Sequence, residues 1–306
     1  MIYDMLIVGA GCAGLAGAMY AGRLGMKVLV LAGDLRGGTI TLTHLVENYP
    51  GFISLTGLEL AQKLEDHARA YPAVEIKDEK ASRIERMKDG TFAVASDAGK
   101  HEAKTILFAT GTEWKKLGAP GEKEFANKGV HYCALCDGAF YKNKVVAVIG
   151  GSDTAAKDAL VLTQWASKVY IIYRGDRIRP EPVNYERVKA NKKIEIIYKT
   201  CATEIHGEKK VSSVMLDRPY NGSSKLALDA VFVAIGHLPL SELAKVAGVK
   251  TDANGFVKIN RDSETNVPGF FAAGDVTDTR FKQAIVGVGE AVEAIYSAYL
   301  YLEGKE

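Results

Sequence analysis

Two stretches of this chain, 141 residues apart, carry one pattern in one register. The first starts at Met5, where a short apolar strand runs into "GAGCAG", a helix of small residues reaches about Leu24, and a second strand reads "KVLVL". The second stretch, "VVAVIGGSDTAAKDALVLTQWASKVYII", repeats strand, glycine-rich turn, helix and strand. Adding 141 carries Gly9 to Gly150, Gly14 to Ala155, Lys27 to Lys168 and Val28 to Val169 without a gap. Each stretch reads as a βαβ unit, and a register kept across a whole unit points to two copies of one nucleotide-binding fold. The predicted class is α/β with two Rossmann-like, three-layer domains.

The copies are predicted to nest. Each has a later apolar strand closing on glycine, "TILFATG" at Gly111 and "AVFVAIG" at Gly236. Beyond Ser241 lie "GFFAAGDV", ending near Gly274 and Asp275, and an amphipathic helix from about Ala284 to Leu302. That tail needs a host, and the first copy is incomplete at Gly111. The expected layout is one domain from residues 1–112 plus 244–306 and a second, residues 117–239, inserted into it. Turn and breaker residues in "GTEWKKLGAPGE" and "GHLPLSE" mark the linkers. With 306 residues, 47% of them hydrophobic, the chain can build more than one core.

A formal net charge of +2 at 25% charged residues gives no polyanion-binding surface, so nucleic acid is not an expected partner. Four cysteines are too few for a disulfide scaffold, which fits a cytoplasmic setting. No run of about 18 uninterrupted apolar residues occurs, so no membrane span is expected.

In "GAGCAG", Gly9 permits the tight turn, Gly11 lets backbone approach a pyrophosphate, and Gly14 lets helix and strand pack closely, with the helix N-terminus facing the phosphates. Where an acid often holds the ribose, the second strand ends "LAGD", and Asp34 is a substitute or a loop residue. The segment "HYCALCDGAFY" sets Cys133 and Cys136 two residues apart, followed at once by Asp137. A zinc site lacks ligands here, with only His131 nearby and no second CxxC, and a pair of buried structural thiols needs neither adjacency nor an acid. A redox dithiol accounts for more. Two intervening residues let the sulfurs close a small ring, the start of a helical turn favours a thiolate, and Asp137 can move a proton or cap the helix. Cys12 and Cys201 read as packing or structural thiols, and His131 and His237 as proton shuttles or, more commonly, hydrogen-bonded structural histidines.

Taken in order, "GGTITLTHLVENYPG", "FATG", "CALCDG", "FFAAGDV" and "FKQAIVGVGEAV" resemble the low-molecular-weight thioredoxin reductases over essentially the whole chain. The resemblance implies an FAD-containing homodimer that passes electrons from NADPH or NADH through flavin and a CxxC dithiol to a thioredoxin-like or glutaredoxin-like protein. It assigns Gly9, Gly11 and Gly14 to the FAD pyrophosphate, with Gly38, Thr39, Asn48 and Gly111 on the same cofactor. Gly274 and Asp275 would take the ribityl-pyrophosphate part, and Gln283 and Ala284 the flavin ring. Lys282 stands where the family usually has Arg, without its planar fork. Cys136 would face the flavin, Cys133 would meet the partner disulfide, and Asp137 would be the acid/base group.

For the nicotinamide donor the resemblance assigns Gly151, Ser152, Asp153, Thr154, Arg174 and Arg179. Ser152 occupies the middle glycine position, where a side chain intrudes. Tyr173 and Gly175 replace a His and a phosphate-binding Arg, and Arg177 is an extra cation. The expected binding is weak, with modest discrimination between NADPH and NADH. Two alternatives stay open: the same chemistry fed by ferredoxin or another protein, and a flavin redox sensor that does not turn over. Because the dithiol and the nicotinamide motif share the inserted domain, that domain is expected to swing about its linkers.

Overall fold

The computed structural model describes residues 2–304. In chain order the first elements are β1 (Ile2–Val8), α1 (Cys12–Arg23), β2 (Val28–Leu31), α2 (Gly57–Arg69), β3 (Val74–Lys77), β4 (Ala81–Arg86), β5 (Phe92–Ser96), β6 (Lys100–Phe108) and β7 (Thr112–Trp114). Then follow β8 (Val130–His131), α3 (Ala134–Asp137), β9 (Val145–Ile149), α4 (Asp153–Leu162), β10 (Lys168–Tyr173), α5 (Pro182–Ala190), β11 (Ile194–Tyr198), β12 (Ala202–Gly207), β13 (Val211–Tyr220), β14 (Ser223–Ala227) and β15 (Ala230–Val233). The chain closes with β16 (His237–Pro239), α6 (Glu242–Val246), β17 (Phe270–Ala272) and α7 (Ala284–Glu303). It divides into an outer unit, Met1–Glu113 with Leu238–Glu306, and an inserted unit, Trp114–His237.

In the outer unit β3, β2, β1 and β6 lie side by side and parallel. Strands such as "VLVL" in β2 are buried at every position, as a sheet covered on both faces requires. The nine residues of β6 serve two neighbours on one edge. Its first half pairs antiparallel with β5, and its second half, Ile106–Phe108, pairs parallel with β17 from the tail. The tail also supplies α7, which by length and composition is apolar enough to cross a membrane. One face of it, with Ala291, Ala294, Ile295 and Ala298, is buried in the core beside Leu107 and Ala18. Gly17 of α1 makes that approach possible: a Cβ there would lie 2.5 Å from Leu107 and 3.6 Å from Ile295. A capping box starts α2, where Thr56 and Glu59 satisfy each other's backbone N–H groups.

The inserted unit repeats the arrangement as β11-β10-β9-β15-β8, with a three-stranded antiparallel layer of β12, β13 and β14. The pairing registers obey the sequence offset. Met5 faces Val28 in the outer sheet, and Val146, 141 residues on, faces Val169 in the inserted one. The turns match too: Gly9 N–H donates to Leu31 O at 2.9 Å, and Gly150 N–H to Ile172 O at 3.1 Å. At the crossovers, Leu240 N–H donates to Gly111 O within the outer unit and Lys115 N–H to Gly236 O within the inserted unit. Residues 238 to 243 group with the outer unit, so that boundary falls six residues earlier than position 244.

Candidate active site

Two glycines of the first turn are sterically compelled. Gly9 has φ +106°, and a Cβ there would lie 2.3 Å from the Ala109 carbonyl oxygen; one on Gly14 would lie 1.9 Å from Gly9 O. Gly11 differs, since the nearest atom to its Cβ position is Gly38 Cα at 3.8 Å. Gly11 is also the N-cap of the 12-residue α1 and supplies no side-chain cap. The leading N–H groups of α1 are thus uncapped by a side chain beside an open glycine, which fits a pyrophosphate. Gly38, φ +72°, packs on Gly11 and leads into the single turn Thr39–Leu42.

The remaining residues expected near a flavin converge on the same unit from both ends of the chain. Asn48 Nδ2 donates to Gln283 Oε1 at 3.0 Å across 235 residues. Gln283 is the N-cap of α7, again without a side-chain cap, so Ala284 opens that helix. Asp275 lies close enough to Cys12 that burial first, and then its charge, push the thiol up to about 12. Cys12 therefore packs as an inert thiol against Val46, Leu55 and Leu60. Gly274, Asp275, Lys282, Gln283 and Gly287 line one narrow cleft. The uncapped helix start at the open Gly11, together with these residues from both ends of the chain, is the donor set that fits an FAD.

Sequence reasoning missed Glu290, which builds that cleft from α7. Its carboxylate accepts from Gly274 N–H at 2.8 Å and from the hydroxyls of Thr277 and Thr279. Nothing in the spacing to "GDVTDT" signals it. Lys282 is folded inward: Nζ donates to Thr277 O at 2.6 Å and sits 4.0 Å from the Phe256 ring centroid, and burial pulls its pKa down against the surrounding carboxylates. Asp34 is a loop residue paired with Lys80.

In the inserted unit Cys133 and Cys136 are joined as a disulfide, Cα to Cα 5.4 Å. Cys133 is the N-cap of the four-residue α3, and its sulfur accepts the Cys136 N–H at 3.1 Å. Asp137 Oδ2 lies 3.1 Å from His131 Nδ1. The pair is close but off the line of a good hydrogen bond, and Nδ1 has no other partner. His131 Nε2 meets the Tyr141 hydroxyl at 2.7 Å, and the imidazole stacks on Phe232 at 5.3 Å. Burial drives the His131 pKa down while Asp137 pulls it up, with the net shift downward, and burial ahead of nearby carboxylates pushes Tyr141 up to about 12. Among the described residues no group of three metal-ligating side chains occurs. Cys201 is an exposed free thiol whose N–H donates to Asp217 at 2.8 Å.

The second glycine turn carries less open space. A Cβ on Gly151 would lie 2.4 Å from the Tyr173 ring, and one on Gly175 would lie 2.6 Å from the same ring, so Tyr173 fills the gap between the two glycines. Its hydroxyl accepts from Arg179 Nη2 at 3.3 Å, and Arg179 N–H donates to Gly151 O at 2.7 Å. Ser152 is the N-cap of α4 without a side-chain cap, and Ser152 and Thr154 are exposed. Asp153 is committed to the fold, accepting from Glu181 N–H and Asn184 Nδ2 at 2.8 Å each and pairing with Lys157. Arg174 is exposed, and Arg177 lies over the Tyr185 ring at 5.8 Å.

A family model described as pyridine nucleotide-disulphide oxidoreductase matches residues 3–291. The chain is 38% identical over 306 residues to the thioredoxin reductase of Bacillus subtilis, covering 99% of this chain and 95% of that one. It is similar to the crystal structure of Lactococcus lactis thioredoxin reductase with a TM-score of 0.94 at 35% identity, covering 99% of each chain. A ferredoxin-flavin thioredoxin reductase from Clostridium acetobutylicum is similar at a TM-score of 0.54 and 33% identity, covering 99% of each chain.

Proposed function

The chain belongs to the pyridine nucleotide-disulphide oxidoreductase family, among its thioredoxin reductases, and on that premise we propose how its residues divide the work of a thioredoxin-disulfide reductase. The enzyme is a flavoprotein that moves electrons from NAD(P)H through FAD and the Cys133/Cys136 dithiol to a thioredoxin-like protein disulfide. FAD supplies the coupling between a two-electron donor and the dithiol, and the protein supplies placement and electrostatics. In the outer unit, Gly9, Gly11 and Gly14 with the start of α1 hold its pyrophosphate, Gly274 and Asp275 the ribityl end, and Thr39, Asn48, Gln283 and Ala284 the ring. Gly38 and Gly111 complete that cradle. A homodimer is the working assembly.

The observation that carries the reading is the closed Cys133–Cys136 ring with Asp137 and a buried imidazole directly behind it. In the dithiol state Cys133 attacks the partner disulfide as a thiolate, and Cys136 then displaces the mixed disulfide. Asp137 takes each thiol proton and returns it to a departing sulfur. Cys133→Ser is expected to keep flavin reduction and lose disulfide transfer. Cys136→Ser is expected to lose flavin-to-disulfide coupling as well, and either variant reducing thioredoxin at the wild-type rate would refute the assignment.

The donor side has a second reading, favoured by the Tyr173 ring that occupies the space between Gly151 and Gly175. With Gly151, Ser152, Asp153, Thr154, Arg174 and Arg179 as the nicotinamide site, that ring limits how closely a dinucleotide settles, which favours ferredoxin or another protein donor. Anaerobic flavin bleaching with NADPH, NADH or reduced ferredoxin decides between the donors.

A further inference from the structure

The imidazole of His131 is 5% exposed and sits two residues before the cysteine pair, yet disulfide exchange through Asp137 assigns it no task. We propose that His131 is a positioning residue for Asp137: its Nδ1–H holds Oδ2 of the carboxylate, with Nε2 turned to Tyr141, and leaves Oδ1 for proton exchange with sulfur. This inference rests on the reading of Asp137 as the acid/base group.

Three observations carry it. A buried Nδ1 lies 3.1 Å from Oδ2 and has no other partner, which is a costly arrangement unless the two groups are meant to meet. Loose hydrogen bonds at reacting groups often tighten in the reacting complex. At the other nitrogen the Tyr141 hydroxyl is 2.7 Å from Nε2, where a phenol can donate or accept. An imidazole whose pKa is lowered is neutral near pH 7 and has one N–H. A bare Nδ1 lone pair 3.1 Å from a carboxylate oxygen would set acceptor against acceptor, so the arrangement favours the N–H on Nδ1, facing Asp137, and leaves Nε2 to accept from Tyr141.

The charged and titratable groups around the ring are few. Asp137 approaches from α3 and Tyr141 from the turn that follows it, while β15 presents only the Phe232 face. Behind Tyr141, Asp229 is paired with Lys144. Within this cluster the imidazole, 3.1 Å away, is the group that faces the Asp137 carboxylate.

The exchange balances without a further reagent. Protein dithiol and partner disulfide become protein disulfide and two partner thiols. The Cys133–sulfur bond forms as the partner S–S bond breaks, and the Cys133–Cys136 bond forms as the mixed disulfide breaks. Two electrons go to the partner sulfurs, and two thiol protons reach them through Oδ1 of Asp137. His131 transfers no proton.

The test uses holoenzyme, prereduced anaerobically and mixed with thioredoxin disulfide over a range of concentrations in a stopped-flow instrument. His131→Phe keeps the ring stack and removes both nitrogens. The expected result is exchange about ten-fold slower with KM for thioredoxin unchanged, because the carboxylate loses the group that orients it while the docking surface is untouched. Added to Asp137→Asn, His131→Phe should cause no further loss. Exchange at the wild-type rate, a ten-fold loss that appears in KM, or the same ten-fold loss on the Asp137→Asn background overturns the inference. Asp137→Asn exchanging at the wild-type rate overturns the acid/base reading instead. If His131→Phe does not fold, 15N-histidine NMR of the wild-type dithiol form gives the answer: a proton on Nδ1 supports the positioning role, and one on Nε2 overturns it.

Discussion

Replacing Glu122 by leucine removes the acceptor of three hydrogen bonds at once. The carboxylate, in a residue only 6% exposed, accepts from Leu117 N–H at 2.7 Å, Gly118 N–H at 2.6 Å and the Tyr132 hydroxyl at 2.8 Å. It thereby ties the first linker to Tyr132, the residue directly before Cys133, whose ring also stacks on Trp114 and lies under Lys116. Leucine fills most of the volume and accepts nothing. Gly118 is exposed enough for water to satisfy its N–H, so the loss falls mainly on Leu117 and Tyr132, each about 1–2 kcal/mol, for a total of about 2–4 kcal/mol. Glutamine keeps one oxygen and turns an N–H toward Gly118, which costs about 1–2 kcal/mol. For a unit of this size 1 kcal/mol lowers the midpoint by about 4 °C, so Glu122→Leu should unfold roughly 8–16 °C early and Glu122→Gln about 4–8 °C early. Both tryptophans, Trp114 and Trp165, lie in the inserted unit, so tryptophan fluorescence on heating reports that unit. A Glu122→Leu midpoint within 2 °C of the wild type would show that the three bonds contribute nothing net.

Gly9→Ala places a Cβ 2.3 Å from the Ala109 carbonyl at φ +106°, a strain of several kcal/mol, and should leave less than about a tenth of an FAD per chain by visible absorbance; a fully yellow variant would contradict the turn geometry. Gly175→Arg alone should destabilise by about 1–3 kcal/mol, because its Cβ meets the Tyr173 ring, while Tyr173→His with Gly175→Arg should recover stability and lower the KM for NADPH relative to NADH about ten-fold. Additive effects of the two substitutions would exclude that steric coupling. Burial pushes the Asp153 carboxyl up, but Lys157, Asn184 and the Glu181 N–H outweigh it and hold the pKa below the ordinary Asp range. Its stabilisation is therefore present above about pH 4 and lost as pH falls through the folded value, so Asp153→Asn should flatten the acid limb of stability between about pH 5 and 2. An unchanged acid limb, read by tryptophan fluorescence, would show that those contacts do not favour the charged form.

Local pattern carried the duplicated fold, because a parallel strand buried on both faces, such as Val28–Leu31, must be apolar at every position and a tight phosphate turn must be glycine at Gly9 and Gly14. Both constraints act within a few residues, so they are written in the chain, and the 141-residue offset between Gly9 and Gly150 survives as the strand register Met5 to Val28 and Val146 to Val169. The adjacency of Cys133, Cys136 and Asp137 is likewise a property of sequence spacing. Tertiary structure decided what side chains do once the backbone turns them toward distant partners. Asn48 meets Gln283 across 235 residues, and Glu290 reaches back to Gly274. Tyr173 lays its ring between Gly151 and Gly175, and Asp34 turns to Lys80 instead of toward the glycine turn. His131 shows the division most plainly. The sequence sets it two residues before the dithiol, but its burial against Phe232, its contact with Tyr141 and its approach to Asp137 arise only when β8, β15 and the turn after α3 pack together. Backbone conformation is chosen largely by neighbours in sequence, whereas the partner of a polar side chain is whichever group the packed core leaves within about 3 Å.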